Sequence, residues 1–399
     1  MLVGKQWRPF TAARAPTGRH AGHGACSRRL VVTAQASANG DRKQRVVFLG
    51  TPDVAAGVLQ QLLTASQQPG AQFEVAMVVS QPGKPRGRGN RAVAQPSPVE
   101  ALARDSGLLA PEAILCPARA KEESFLAALS ELQPDLAVTA AYGNMLPQRF
   151  LDTPRLGTLN VHPSLLPRYR GAAPVQRALE DGVRETGVSV AYTVLACDAG
   201  PVLAQQRVAV DPDIQAPELL TQLFGLGTQL LLDRLPDVWA GRGQQLAVPQ
   251  DESQVLHAAK LGREESMLDF ARDSAEVTHN RVRGFAGWPG TSARFEVTDE
   301  ASGASEVIEV KILRTRLPSQ SRGGADSSAP GAAGAAIVFE GDAMLVPCAC
   351  GGVLEVLQVQ PPTKKAMAAK DWKNGLRGKR LALPAEQSQV QTQQAVAAA

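Results

Sequence analysis

The chain has 399 residues, 44% of them hydrophobic, with 42 Lys and Arg against 38 Asp and Glu for a formal net charge of +4. That length suffices for two domains with a core each, and no apolar run approaches the ~20 residues a membrane-spanning helix needs. The positive charge is concentrated at the start. Residues 1–43 hold eight of the bases (Lys5, Arg8, Arg14, Arg19, Arg28, Arg29, Arg42, Lys43) and one acid, Asp41, which leaves the remainder at −3. A basic, acid-poor, Ala-rich leader without the apolar core of a secretory signal reads as an organellar transit peptide, for mitochondrion or plastid. A native basic tail and a twin-arginine signal at Arg28-Arg29 are the alternatives. The five cysteines (Cys26, Cys116, Cys197, Cys348, Cys350) are odd in number and contain no C-x-x-C. They signal neither a disulfide framework nor a zinc site.

Arg45 to Gly50 is a buried-strand pattern, and Gly50-Thr51-Pro52 turns it into a helix from Val54 to Leu63. This opening marks a doubly wound α/β sheet. With only Gly50 and Gly57, neither the dinucleotide fingerprint nor the P-loop is met. A second strand runs from Phe73 to Val79. Ser80 to Arg91 then places Lys84, Arg86, Arg88 and Arg91 among prolines and glycines, without an acid, so neither a helix nor a packed strand is expected there. On composition alone it is a solvated loop. Ser97-Pro98-Val99-Glu100 combines an N-cap, a first-position proline and a first-turn acid, predicting a helix to Ser106. A short strand at 113–116, a helix from Lys121 to Leu132 and a strand ending at Ala141 lead to the turn Tyr142-Gly143.

Leu159-Asn160-Val161-His162 is a short apolar run. If it is a strand, Asn160 and His162 share one face. Pro163 puts the pair at the strand's end, where α/β proteins place ligands. A carboxylate follows at Asp198, in the turn Cys197-Asp198-Ala199-Gly200, between strands predicted at Val188–Leu195 and Val202–Val210. Cys197 reads as a small packed residue rather than a nucleophile. An amide that donates to an oxyanion, an imidazole that carries a proton and a carboxylate that orients it form a set for acyl transfer. Read by spacing alone, the same residues could be turn and capping residues. Ala173–Glu180 and Ala216–Trp239 are predicted helices, and Gly241–Gln245 is a polar linker. Beyond Asp251, strands at 292–298, 306–314, 336–340, 343–347 and 352–359 suit a small barrel. The Ser/Gly/Ala/Pro-rich stretch from Leu317 to Ala336 reads as a disordered insertion. Lys364 to Arg380 holds seven bases and one acid, and the tail after Pro384 reads as disordered.

The segment Ser164-Leu165-Leu166-Pro167-Arg168-Tyr169-Arg170-Gly171-Ala172-Ala173-Pro174 resembles the signature of the 10-formyltetrahydrofolate-dependent formyltransferases. In that family an Asn-x-His pair, this loop and a later Asp form the active site. The Arg-Gly-Ala-Ala-Pro continuation is most similar to the methionyl-tRNA formyltransferases. The resemblance runs from about Arg45 to Arg380 and is tightest over 139–200.

The resemblance implies a doubly wound, mostly parallel Rossmann-like sheet followed by a C-terminal OB-like β-barrel, which begins at the turn Phe285-Ala286-Gly287-Trp288-Pro289-Gly290. The segments would be a leader at 1–43, a catalytic domain at 44–245, a tRNA-binding domain at 246–383 and a tail at 384–399. It implies that Asn160 donates to the oxyanion, that His162 carries a proton, and that Asp198 orders His162 and a water. Tyr142, Gly143, Ser164, Leu165, Leu166 and Pro167 would border the folate. Gly87-Arg88-Gly89 would enter the acceptor arm of tRNA, with Lys84, Arg86 and Arg91 adding charge. Lys364 and Lys365 would make a second tRNA contact. The expected reaction moves the formyl group of 10-formyltetrahydrofolate, a cosubstrate, to the α-amino group of methionyl initiator tRNA for organellar translation. No metal or tightly bound cofactor, no membrane and a monomer are expected. A glycinamide ribonucleotide or sugar-nucleotide formyltransferase and a formyl-folate hydrolase are rivals that leave the basic loop unexplained. A non-catalytic RNA-binding protein leaves the trio unexplained. One departure stands out: Pro201 follows Asp198-Ala199-Gly200 where many relatives carry an acid.

Overall fold

Residues 42–86, 93–318 and 334–384 are described in the computed structural model of the chain. The expected leader up to Asp41, Arg88 and Arg91 of the basic segment, residues 319–333 of the expected insertion and the tail beyond Pro384 lie outside them.

Val46 to Leu49 are all buried, as a strand covered on both faces requires. They belong to β1 (Gln44–Gly50), followed by α1 (Asp53–Ser66) and β2 (Phe73–Val79). Lys84–Arg86 (β3) and Val93–Gln95 (β4) then pair as an antiparallel hairpin, where no strand was expected. Lys84, Pro85, Ala94 and Gln95 are exposed, so this ribbon rests on its own backbone pairing rather than on packing. Next come α2 (Pro98–Asp105), β5 (Ile114–Leu115), α3 (Glu123–Leu132), β6 (Leu136–Ala140), α4 (Gln148–Leu151) and β7 (Thr158–His162). β8 (Arg170–Gly171), α5 (Pro174–Glu180), β9 (Glu185–Tyr192), β10 (Val202–Ala209) and α6 (Ala216–Trp239) complete the first half. The Ser97 hydroxyl caps α2, accepting from the Glu100 amide at 3.0 Å.

The first sheet has the order β10-β9-β7-β6-β1-β2-β5. β5, β2, β1, β6 and β7 are parallel, while β9 runs antiparallel to both β7 and β10. Alternate residues of β1 feed opposite cores. Val46 and Phe48 join Leu59 and Leu223 on the side of α1 and α6, and Val47 and Leu49 join Phe125 and Phe150 beneath α3 and α4. Since β1, β2, β6 and β7 are parallel, the segments after all four leave the sheet at one edge, the usual ligand edge of such folds. The strand expected to reach Leu195 stops at Tyr192. Val194 and Leu195 are 39% and 54% exposed, apolar but outside the sheet.

Where a polar linker was expected, Gly243–Leu246 forms the short helix α7 with Gly243 buried. The chain then returns to the first sheet's surroundings. β11 (His257–Ala258) pairs in parallel with β8, His257 opposite Arg170 and Ala258 opposite Gly171. α8 (Ala275–Gly284), absent from the sequence reading, buries His279, Asn280 and Arg283 alongside Val282. His279 contacts Thr315 Oγ1 through Nδ1 and the Pro212 carbonyl through Nε2, both at 2.9 Å.

β12 (Thr291–Asp299), β13 (Ser305–Arg316), β14 (Val338–Glu340), β15 (Ala343–Pro347), β16 (Val353–Gln360), β17 (Met367–Ala368), α9 (Ala369–Gly375) and β18 (Lys379–Ala382) follow. The second sheet is antiparallel, ordered β14-β15-β16-β13-β12-β18. Its ends nearly meet: Ile337 N donates to Leu381 O and Leu383 N to Ala335 O, each at 3.0 Å. The result is barrel-like, cored by Phe270, Phe295, Met344, Val346 and Trp372. Among the described residues no helix is long and apolar enough to cross a membrane.

Candidate active site

β7 presents Thr158, Asn160 and His162 on one face, as a two-residue period demands. The Thr139 hydroxyl on neighbouring β6 donates to Asn160 Oδ1 at 2.9 Å. That bond fixes the amide the right way round, with its NH₂ left as a donor. Asn160 Nδ2 lies 3.4 Å from Asp198 Oδ1. His162 is buried, and its Nε2 is 3.0 Å from the Tyr169 carbonyl. A carbonyl only accepts, so this contact assigns the proton to Nε2 and leaves Nδ1 free in the neutral ring. Nδ1 lies 3.7 Å from Asp198 Oδ2. Two of the predicted side chains therefore converge on the carboxylate of the third.

Asp198 sits at φ +50, a left-handed conformation that Asp tolerates better than most residues. Its Oδ2 accepts from the Gly171 amide at 2.9 Å. Two carbonyls of its turn, Asp198 O and Gly200 O, accept from Gln250 Nε2, both at 2.7 Å. Pro201 has no amide N–H to give this turn, but its neighbours are paired. The Pro201 carbonyl accepts from the Tyr192 amide at 2.9 Å, and the next amide, Val202 N, reaches Val248 O at 2.8 Å. Cys197 is exposed rather than packed, with Sγ 3.5 Å from Asp198 Oδ2. Its thiol is pushed up to about 11, first by partial burial of the sulfur and then by the Asp198 carboxylate. At neutral pH it stays a protonated thiol, unsuited to nucleophilic attack.

The loop after β7 is pinned to β9 and β10. Ser189 Oγ donates to Ser164 O at 2.6 Å and accepts from Leu166 N at 3.0 Å. Gln205 Nε2 donates to Leu166 O at 2.7 Å and to Ser189 Oγ at 2.9 Å. Ser164 and Leu166 are buried, while Leu165 and Pro167 are partly exposed. At the neighbouring strand end the Tyr142 ring packs into the core with Leu49, Val79 and Phe150, so it is the backbone that meets the edge. The Tyr142 carbonyl accepts from Thr51 Oγ1 at 2.9 Å and Gln81 Nε2 at 3.0 Å. Gly143, at φ +84, follows in the same turn.

A cavity of about 490 Å³ opens on this side of the sheet, lined by Leu151, Thr158, Tyr192, Thr193, Val194, Leu195 and Pro201, among others. It is mixed in character, and the Thr158 and Thr193 hydroxyls that line it are buried without a hydrogen-bond partner among the described residues. Thr158 stands two residues before Asn160 on the same face of β7, so the cavity adjoins the trio. The sequence reading missed this cavity, together with Thr139, Ser189, Gln205 and Gln250.

Of the basic residues, Lys84 is exposed on the hairpin after β2, at the trio's edge of the sheet, and Arg86 closes the same strand. Lys364 and Lys365 are exposed in the turn between β16 and β17. They belong to the second sheet and share no described contact with the trio. Among the described residues no group of His, Cys, Asp and Glu could hold a metal ion.

Two family profiles match the chain: Formyl transferase over residues 44–235, and Formyl transferase, C-terminal domain, over residues 260–377. The chain is 41% identical to the methionyl-tRNA formyltransferase of Thermus thermophilus over 331 residues, which cover 83% of this chain and 96% of that protein. With that of Methylococcus capsulatus it shares 38% over 340 residues, 84% and 99% of the two chains. Solved structures share the fold at low identity. HypX from Aquifex aeolicus, in complex with tetrahydrofolic acid, superposes with a TM-score of 0.50 at 16% identity, covering 84% of this chain and 48% of that one. An N-formyltransferase from Helicobacter canadensis, crystallised with folinic acid and dTDP-3-aminofucose, gives 0.52 at 13% identity, covering 80% and 100%.

Proposed function

Since the chain belongs to the methionyl-tRNA formyltransferase family, whose members transfer a formyl group to methionyl-tRNA, we propose that it formylates initiator methionyl-tRNA inside an organelle, with Asn160, His162 and Asp198 as its catalytic residues. The observation that carries the catalytic part is the convergence of Asn160 Nδ2 and His162 Nδ1, at 3.4 and 3.7 Å, on the two oxygens of Asp198.

In this reading the methionine α-amine attacks the formyl carbon and the carbonyl oxygen becomes an oxyanion, which takes a hydrogen bond from Asn160 Nδ2. His162 Nδ1 receives the proton the amine loses, and Asp198 stabilises the imidazolium so formed. The imidazolium then protonates N10 of the folate as the carbon–nitrogen bond breaks, which returns His162 to its neutral form. The cavity between Thr158 and Leu195 is where the folate ring system enters, its mixed lining suiting a flat heterocycle with polar edges. Neither the Tyr142-Gly143 turn nor the Ser164–Pro167 loop lines this cavity, so in this reading they meet the folate beyond it. The deciding assay offers 10-formyltetrahydrofolate with charged initiator and charged elongator tRNA. Formylation of the initiator alone is expected, and formylation of neither would overturn the proposal.

The basic segment supplies the tRNA contact. Lys84, Arg86, Arg88 and Arg91 neutralise phosphates of the acceptor arm, and Lys364 and Lys365 hold another part of the molecule as a monomeric enzyme closes on it. Arg88→Ala should raise KM for tRNA about tenfold and leave KM for the folate within about twofold, as loss of one charged contact worth ~1.4 kcal/mol would do. Equal changes in both constants would remove the segment from the interface. The leader's eight bases and single acid support import into mitochondrion or plastid. Residues 1–43 fused to a fluorescent reporter should co-localise with one of these organelles, and a diffuse cytosolic signal would refute the organellar setting.

A further inference from the structure

Gln250 lies outside both sheets, four residues beyond α7, yet all the polar atoms of its side chain are used on the active site. Its nitrogen donates to Asp198 O and Gly200 O, both at 2.7 Å. Its oxygen accepts from Arg170 Nε at 3.0 Å and Arg170 Nη2 at 2.8 Å. Arg170 is 6% exposed and is itself held by both oxygens of Glu252, at 2.8 and 3.1 Å.

The same connecting segment reaches Asp198 by a second route. Arg170 N donates to Leu256 O at 2.9 Å, and β11 pairs with β8 at Gly171. A Cβ on Gly171, at φ +124, would come within 2.6 Å of Ala258 O. The segment can therefore lie this close only to a glycine, and it is the Gly171 amide that holds Asp198 Oδ2 at 2.9 Å. Backbone and carboxylate of Asp198 are thus both fixed from outside the sheet. Left to itself, a residue at φ +50 tends to relax, because left-handed backbone costs about 1–2 kcal/mol for an L-residue with a Cβ.

We infer that Gln250, steadied by Arg170, is a positioning residue for formyl transfer, acting through Asp198 rather than on either substrate. This rests on the role proposed for Asp198, and a double-mutant cycle separates the two. Gln250→Ala is made in the full chain and in the Asp198→Asn background, and single-turnover rates are measured with saturating tRNA and 10-formyltetrahydrofolate. In the native background Gln250→Ala should slow transfer about 10- to 100-fold, the scale of a small misplacement of a reacting group, with both KM values within about threefold. In the Asp198→Asn background it should change the rate less than threefold, since the group it places is already lost. A merely structural residue would give equal losses in both backgrounds, and that result would overturn the inference, as would an unchanged rate in Gln250→Ala. An Asp198→Asn enzyme at the native rate would instead sink the role of Asp198 itself. Gln250→Glu keeps the oxygen that Arg170 holds and sets a charged acceptor against the two carbonyls in place of the donations, so if Gln250→Ala fails to fold, its rate loss should likewise be present in the native background and below threefold in Asp198→Asn.

Discussion

Asn160→Ala is expected to lower kcat by about 10²–10³-fold, the usual consequence of removing one oxyanion donor, with KM for both substrates changed only a few-fold. The expectation follows from how the amide is held. Thr139 donates to its oxygen at 2.9 Å, so the NH₂ faces Asp198 and the open side of β7 without choosing between two orientations. A donor that is already aimed costs no reorganisation when negative charge develops on the formyl oxygen, and its benefit falls on the transition state more than on the bound substrate. Steady-state kinetics with initiator methionyl-tRNA and 10-formyltetrahydrofolate check it. An alanine variant near the native rate would mean that the oxyanion is served elsewhere. Asn160→Asp should do no better than alanine, since it keeps the shape but offers the oxyanion a second negative charge.

Gly200→Ala should be at least as damaging, and by a different route. A Cβ at this position would run into the Tyr192 carbonyl oxygen and lie 2.8 Å from its carbon. Both are backbone atoms at the end of β9, so no rotamer change relieves the clash. The turn must move, and it carries Asp198 two residues earlier. A displacement of about 1 Å at a reacting group costs on the order of 10²-fold, and forced overpacking costs about 1–3 kcal/mol of stability. The variant should melt at a lower temperature and, where still folded, lose kcat by about 10²-fold or more. A folded Gly200→Ala enzyme with native kcat would show that the turn has freedom to spare.

The pair Asn160 and His162 was legible in the sequence because a two-residue period fixes the shared face of any strand. Asp198 was legible as a carboxylate in the turn between two predicted strands, but its meeting with the pair, 36–38 residues away, was not fixed by any local period, and the resemblance supplied it. The fold class was likewise open to reading, in the apolar runs of β1, β2 and β6. What sets the amide, the loop and the turn was not. Thr139, Ser189, Gln205, Arg170 and Gln250 act through hydrogen bonds between residues that are 16 to 80 positions apart, and nothing local marks a threonine or glutamine for such a task. α8 escaped for another reason. Periodicity finds helices by an apolar stripe, and α8 turns His279, Asn280 and Arg283 inward. Val194 and Leu195 erred in the opposite sense: their hydrophobicity extended β9 on paper, whereas they line the cavity's rim.

Because β11 runs beside β8 and Gln250 comes with the same segment, the half that carries the trio does not by itself hold the backbone of Asp198. A gene fragment stopping at the end of α6 would encode every strand of the first sheet and all three side chains proposed for catalysis. It would nonetheless leave Asp198 without its brace, so swapping C-terminal halves between homologues requires a junction placed after Ala258, not at the apparent seam.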